Sequence, residues 1–222
     1  MLILLPPSEG KSVPRRGKPL DLQTLSFPEL TTARSQVLSA LIDTSAQPDA
    51  LKTLKVGAGL ADTVAANVHL IQAPTALASQ IYNGVLYDAF DVGSLDAAAK
   101  RRATRSIVIA SALWGVVRLT DRIPAYRLSM GVALPRIGSL GAFWKSHLTH
   151  VLAPVSRNGL IVDCRSDTYA MSWHPKLDRF LAVRVFREVS GERTVVSHMA
   201  KHSRGLVARA LLSEPHAPQT AA

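Results

Sequence analysis

The chain has a single cysteine, Cys164, among 222 residues. That excludes an internal disulfide framework and makes a reducing, cytoplasmic setting the expectation. No apolar run is long enough to span a bilayer, and the short apolar start, Leu2 to Leu5, has no basic residues before it, so neither a membrane segment nor a secretory leader is expected. Acidic residues are scarce. Asp and Glu number 16 against 26 Lys and Arg, giving a net charge of +10 and a pI near 10.3, which favours polyanionic partners. The deficit is concentrated: Lys100 to His150 holds nine basic residues and one acid, Asp121, and Lys11, Arg15, Arg16 and Lys18 follow one another in the first loop. A basic solubilising surface is the plain alternative. Apolar residues make up 47% of the chain, enough for one core. A chain of this length buries on the order of 70% of its unfolded surface, so one domain over residues 1–213 is expected, with 214–222 as a flexible tail.

The opening MLILLPPSEGKS ends in the Gly-Lys-Ser of a phosphate-cradling loop. The first glycine of such a loop is missing, because position 5 is Leu5. Pro6 and Pro7 have no N–H to point at a phosphate and fix φ where the cradle needs freedom. The stretch therefore reads as a strand running into a rigid turn that presents Glu9 and Lys11.

Helices and strands interleave without repeats, giving an α+β, mixed α/β single domain. Ser26-Phe27-Pro28-Glu29 has capping-box spacing and predicts a helix over 28–42. Further helices are expected over 49–55, 60–71, 95–102, 143–152 and 200–212, the last with Leu206, Val207, Ala210 and Leu211 on its apolar face. Residues 106–110 read as a buried strand, 160–164 as a short strand, 82–87 as extended or turning, and 180–189 with 193–196 as a hairpin.

Lys55, Gly57 and Gly59 lie between two of these helices. A glycine turn that opens a helix with free N–H groups can grip one phosphate, as in a helix-hairpin-helix; an ordinary helical hairpin with a glycine cap fits the same pattern. His147/His150 and His198/His202 lack a carboxylate or cysteine at ligand spacing, so no metal site and no cofactor are expected. No Gly-x-Ser-x-Gly appears. The densest cluster is residues 111–128, where Arg118, Arg122 and Arg127 accompany Tyr126 and the carboxylate of Asp121. Arginine forks beside an aromatic face hold phosphates and stack bases, although a structural salt bridge centred on Asp121 explains the same residues.

Six pieces in order, namely MLILLPPSEGK (1–11), YNGVLY (82–87), SALWGVVRLTDRIPAYRLSMG (111–131), Phe143-Trp144-Lys145, Val162 to Tyr169, and Ser197 with Lys201-His202-Ser203-Arg204-Gly205, resemble the YaaA family of bacterial peroxide-stress proteins. The resemblance implies a family-specific fold with a positively charged cleft and a helix-hairpin-helix at about 51–69. It implies duplex or structured DNA as partner, and a role in limiting iron-driven oxidative damage. Carried over residue by residue, the cleft comprises Lys11, Tyr126, Arg127, Lys145, Lys201 and Arg204. The chain departs from the family pattern at Ser129, where an acid is common, at His202, where lysine is common, and at Arg165. A DNA-binding stress protein is thus expected. The rival is an enzyme on a phosphorylated or nucleic-acid substrate, with Glu9, Lys11, Asp121, Asp163 and Asp167 as candidate acid/base groups. Direct iron sequestration is prompted only by the family's role.

Overall fold

Four consecutive apolar residues have no polar face to offer solvent, and β1 (Leu2–Leu5) is accordingly buried along its whole length. The computed structural model describes residues 1–155, 159–175, 179–189, 192–195, 197–216 and 218. After β1 come α1 (Thr31–Ser45), α2 (Ala50–Thr53), α3 (Ala61–Ala66), β2 (Ala76–Leu77), α4 (Ala78–Ile81), α5 (Val85–Phe90) and α6 (Ala97–Ser106). Next are β3 (Ile107–Ser111), β4 (Gly115–Val117), β5 (Arg122–Ile123), β6 (Ala133–Leu134), β7 (Gly138–Ser139) and α7 (Leu140–Val155). The chain closes with β8 (Ile161–Asp163), α8 (Asp167–Ala170), β9 (Phe180–Ala182), β10 (Phe186–Val189), β11 (Glu192–Val195) and α9 (Ser197–Ser213). This is a mixed α/β single domain.

The main sheet has the order β4-β3-β1-β8-β9. β1 pairs in parallel with β3 through Ile3↔Ile107 and with β8 through Ile3↔Val162, and β8 pairs in parallel with β9. Only β4 is antiparallel, returning from β3 through the turn opposite Ser111↔Gly115. From β1 the chain builds outward to β3 and β4 on one side, then crosses back to β8 and β9 on the other. The carboxyl end of β1 is therefore a topological switch point, where connections leave in opposite directions and open a crevice.

Several expectations are corrected. Ser26 does not cap a helix: Phe27 sits in the left-handed region at φ 63°, a 3₁₀ turn (Pro28–Leu30) precedes α1, and Ser26 N and Oγ donate to the Asp121 carboxylate instead. Residues 82–87, read as extended or turning, do turn at Gly84 (φ 81°), but from Val85 they are the helix α5. Residues 180–189 divide into β9, which joins the main sheet, and β10, which pairs with β11. The expected hairpin tip at 190–191 and residue 196 lie outside the described residues, as do 217 and 219–222 of the tail.

The buried face of α9 is also different. Ala200, Gly205, Ala208 and Leu212 face inward, whereas Leu206 is exposed. The reason is close approach: a Cβ at Gly205 would lie 2.3 Å from the Leu86 carbonyl oxygen and 3.0 Å from Phe90 N, so α9 rides on the backbone of α5. Gly205→Ala is expected to lower stability by about 1–3 kcal/mol by forcing the two helices apart. Urea unfolding with an unchanged slope and a lower midpoint checks it. Among the described residues no helix is long and apolar enough to cross a membrane.

Candidate functional site

Pro6 and Pro7 end β1 where the sheet opens, and the turn they start carries Ser8, Glu9 and Gly10 to Lys11, which forms an isolated antiparallel bridge with Tyr82. Hydrogen bonds with the 81–87 segment hold the turn. Asn83 N donates to Ser8 Oγ at 3.1 Å, Tyr87 Oη donates to Pro6 O at 2.7 Å, and Ser12 N donates to Ile81 O at 2.9 Å. Beside the turn lies a cavity of about 430 Å³, lined by Pro6–Gly10, Asn83–Tyr87, Ser166 and Tyr169, with Lys201 and Arg204 contributed by α9.

Arg127 is tied to the turn through Glu9. Its Nη2 is 2.8 Å from Glu9 Oε2 and its Nη1 donates to Glu9 O at 3.2 Å. The Arg127 peptide is clamped by Asn67, whose Oδ1 accepts from Arg127 N at 2.9 Å while its Nδ2 donates to Arg127 O at 3.0 Å. Asn67 follows α3 directly, so the glycine-turn region is tied to the cleft through this amide.

The chain has four tyrosines, and all four meet here. Tyr82 and Tyr126 share a hydroxyl hydrogen bond of 3.0 Å, Tyr126 and Ser111 another of 2.8 Å, and Tyr82 stacks on Tyr87 with centroids 5.5 Å apart. Tyr169 lines the cavity. Burial raises the pKa of each of these phenols well above the usual value, so they stay neutral donors and acceptors. The Lys11 ammonium lies 4.2 Å from the Tyr126 ring centroid and 5.7 Å from that of Tyr82, and donates to Ser8 O at 2.8 Å. Burial pulls its pKa down to about 7; Glu9 opposes the shift and Arg127 adds to it. Cations over phenol faces gain electrostatic attraction, which also favours the charged form.

The sequence-selected residues divide into two groups. Lys11, Tyr126 and Arg127 cluster with Glu9 at the turn after β1, and Glu9 shares the cavity lining with Lys201 and Arg204. Arg118 does not join them: it donates to the Arg105 and Ile107 carbonyls and packs over the Phe27 ring. Arg122 donates to Thr75 O at 2.9 Å, Lys55 donates to Gly131 O at 2.9 Å, and Lys145 is exposed on α7. The expectation that Asp121 orients a guanidinium is corrected, because its oxygens accept from Ser26 N, Ser26 Oγ and Arg118 N. Asp163 is bound bidentately by Arg165, with both bonds 2.8 Å, which accounts for the extra arginine at 165 and commits that carboxylate to structure. Asp167 lines a neighbouring depression of about 320 Å³ that shares Arg204 with the first. The Cys164 thiol is buried and its pKa is pushed up to about 12, so it is unreactive.

Tyr82, Tyr87, Tyr169 and Asn67 were not selected from the sequence. For the tyrosines a signal existed, namely so few aromatics divided among the quoted motif stretches; for Asn67 there was none. A larger depression of about 520 Å³ beside α1 is bordered by Asp43 and Arg136, themselves 3.9 Å apart, and holds none of the selected residues. Among the described residues no three of His, Cys, Asp and Glu gather as a metal site. His147 instead stacks on Phe143, with Nδ1 2.8 Å from Phe143 O.

The glycine turn has a telling geometry. Gly57 has φ −75° and ψ 164°, Gly59 is likewise not left-handed, and a Cβ added at either would meet nothing within 4 Å. Lys55, at φ 56°, takes the left-handed position. Neither turn conformation nor internal packing demands glycine at 57 or 59.

These features define an α/β domain with a small-molecule-sized cavity at the switch point of its sheet and basic side chains at the cavity's edge. The model of the peroxide stress protein YaaA family matches residues 1–219, and the chain belongs to that family. A UPF0246 protein of Streptomyces coelicolor is 48% identical over 224 aligned positions, covering 99% of this chain and 85% of its own length. A UPF0246 protein of Corynebacterium efficiens is 43% identical over 226 positions, covering 100% and 89%. One of Paraburkholderia xenovorans is 36% identical over 137 positions, 58% of this chain and 53% of its own. Membership supports a role in the peroxide stress response.

Proposed function

We propose that the chain serves the peroxide stress response by binding DNA through its phosphate backbone, without sequence preference, in a basic cleft around Lys11, Arg127, Lys201 and Arg204. The observation that carries this reading is the convergence of cations from three distant stretches of sequence on the turn after β1. The turn around Gly57 and Gly59 acts as a second grip of helix-hairpin-helix type. Its glycines have no internal reason to be glycine, which is what close approach by another molecule's backbone requires.

Four phosphate contacts give a log–log salt slope of about −3 to −4, and Arg204→Ala should make it shallower by about 0.9 while weakening all sequences alike. Fluorescence anisotropy on duplexes of unrelated sequence across a salt series tests both; affinity indifferent to salt would remove the reading. Gly59→Val fits open space, so its melting temperature should match wild type while duplex affinity falls. Unchanged affinity would remove the second grip.

A second reading, catalysis on a phosphorylated or nucleic-acid substrate in the same basic cleft, is favoured by one observation: Lys11, at the turn after β1, sits with a pKa of about 7 against hydrogen-bonded tyrosines. Product analysis after incubation with DNA, RNA and nucleotides tests it, and complete recovery of every substrate counts against it.

A further inference from the structure

The cavity beside the Pro6–Gly10 turn is the wrong size for the duplex that the backbone-binding reading brings to this face. Its volume of about 430 Å³ falls in the range of small-molecule sites, whereas the major groove of a duplex alone is about 12 Å wide. Its chemistry is divided. Its lining includes the apolar and aromatic side chains Pro6, Pro7, Tyr87 and Tyr169; the cations Lys201 and Arg204 come from one helix, α9. Arg204 Nε is directed to Val183 O at 3.4 Å, which fixes the guanidinium where the two depressions meet. Polar groups complete the lining: Ser8 and Asn83 beside the turn, and Ser166 after β8. The carboxyl ends of β1 and β8 both open onto this crevice, the place where open α/β sheets hold nucleotides.

A ligand that satisfies all of these groups has a planar apolar face, a hydroxylated middle and one compact anion. We propose that the cavity takes one nucleoside monophosphate unit, its base against the proline and tyrosine side chains and its phosphate on Lys201 and Arg204. The unit is either free or part of a strand from which a single nucleotide is turned out, and the binding chemistry is the same in both cases. Arginine offers a fork matched to phosphate oxygens, and a base stacks on an aromatic face whatever its identity, so discrimination among the four bases should be weak. This deepens the nucleic-acid reading of the same site. It rests on that reading for the source of the ligand and not for the binding itself.

The test is calorimetric titration of the full chain with the four nucleoside 5′-monophosphates, with the matching nucleosides and inorganic phosphate as separate arms. Each monophosphate is expected to bind about tenfold or more tighter than its nucleoside or phosphate alone, because neither half fills both ends of the cavity. Arg204→Ala should remove most of that advantage. Val85→Trp should abolish binding by filling the space from a residue already 36% exposed, with circular dichroism confirming an intact fold. Two further arms separate the sources. A fully paired duplex is compared with the same duplex carrying one extrahelical nucleotide; a preference for the second assigns the unit to a strand, and equal affinity assigns it to the free monophosphate. Monophosphates that bind no better than nucleoside and phosphate, or that bind Arg204→Ala and Val85→Trp as well as wild type, overturn the proposal. The salt series on paired duplex, run with the same protein, keeps the two claims apart: salt-dependent duplex binding without monophosphate binding sinks only this one.

Discussion

Arg34→Met is expected to destabilise the protein by about 2–5 kcal/mol, a large part of the roughly 5–15 kcal/mol that holds a domain of this kind together. Arg34 lies on α1 with no exposed surface, and its guanidinium is wholly spent on main-chain carbonyls. Nε donates to Trp114 O at 3.1 Å, Nη1 to Phe27 O at 3.3 Å, and Nη2 to Ser26 O at 2.7 Å and Val116 O at 2.8 Å. One side chain thereby fastens α1 to the β4 edge of the sheet and to the left-handed residue at 27. Burial lowers its pKa to about 10 against the pull of Asp121 and Glu29, which leaves it charged at neutral pH. Methionine has nearly the same reach but brings no donor; Trp114 O still accepts from Val116 N and Phe27 O from Leu30 N, so the desolvation cost falls on Ser26 O and Val116 O, beside the loss of four charge-assisted bonds. Urea denaturation should show a lower midpoint with an unchanged slope, and Arg34→Lys, which keeps three donors, should recover part of the loss. A methionine variant within experimental error of wild type would show that the carbonyls find other partners.

Nothing in the sequence marks Arg34, and the reason separates what was legible from what was not. β1 was legible because four apolar residues in a row leave a strand one environment, the middle of a parallel sheet. β3 and β8 were readable for the same reason, within a residue or so at each end. Asp121 was misread because its side-chain partner, Ser26, is 95 residues away, while of the three arginines close in sequence only Arg118 bonds it, and through its main-chain N–H, not its guanidinium. The α9 face was misread in part: Leu211 does pack against the core, but hydrophobicity pointed equally at Leu206 and Ala210, which are exposed, whereas contact with α5 demands the smallest residue. At Gly205 it is the absence of a side chain that packs. For the site, the turn was found from its prolines and Arg127 from the basic cluster, whereas Lys201 and Arg204 came only from the family resemblance. The tyrosine cluster depends on bringing the ends of β1, β3 and β8 together, information held in the strand order and in no local motif.

Lys11 turns this arrangement into a pH effect that can be measured. The folded protein holds its pKa at about 7, below the ordinary 10.5, and burial against the tyrosines is the main cause. Between those values the unfolded chain binds the proton more completely than the folded one, so stability should rise with pH from about 7 toward 10. Near pH 10 the trend should reverse, because the buried tyrosines stay protonated in the fold while their unfolded counterparts ionise. Lys11→Met keeps the alkyl chain over the Tyr126 ring and should flatten the rise while preserving the fall. The same proton should act on binding. As pH climbs from 6 to 8 the site loses a positive charge, so affinity for a polyanion should drop in wild type, whereas Lys11→Arg, which stays charged, should hold its affinity across the range. Wild type and Lys11→Arg declining together would place the titrating group elsewhere, and a wild-type stability that is level from pH 7 to 9 would mean that the carbonyls and ring faces around Lys11 keep it an ordinary lysine.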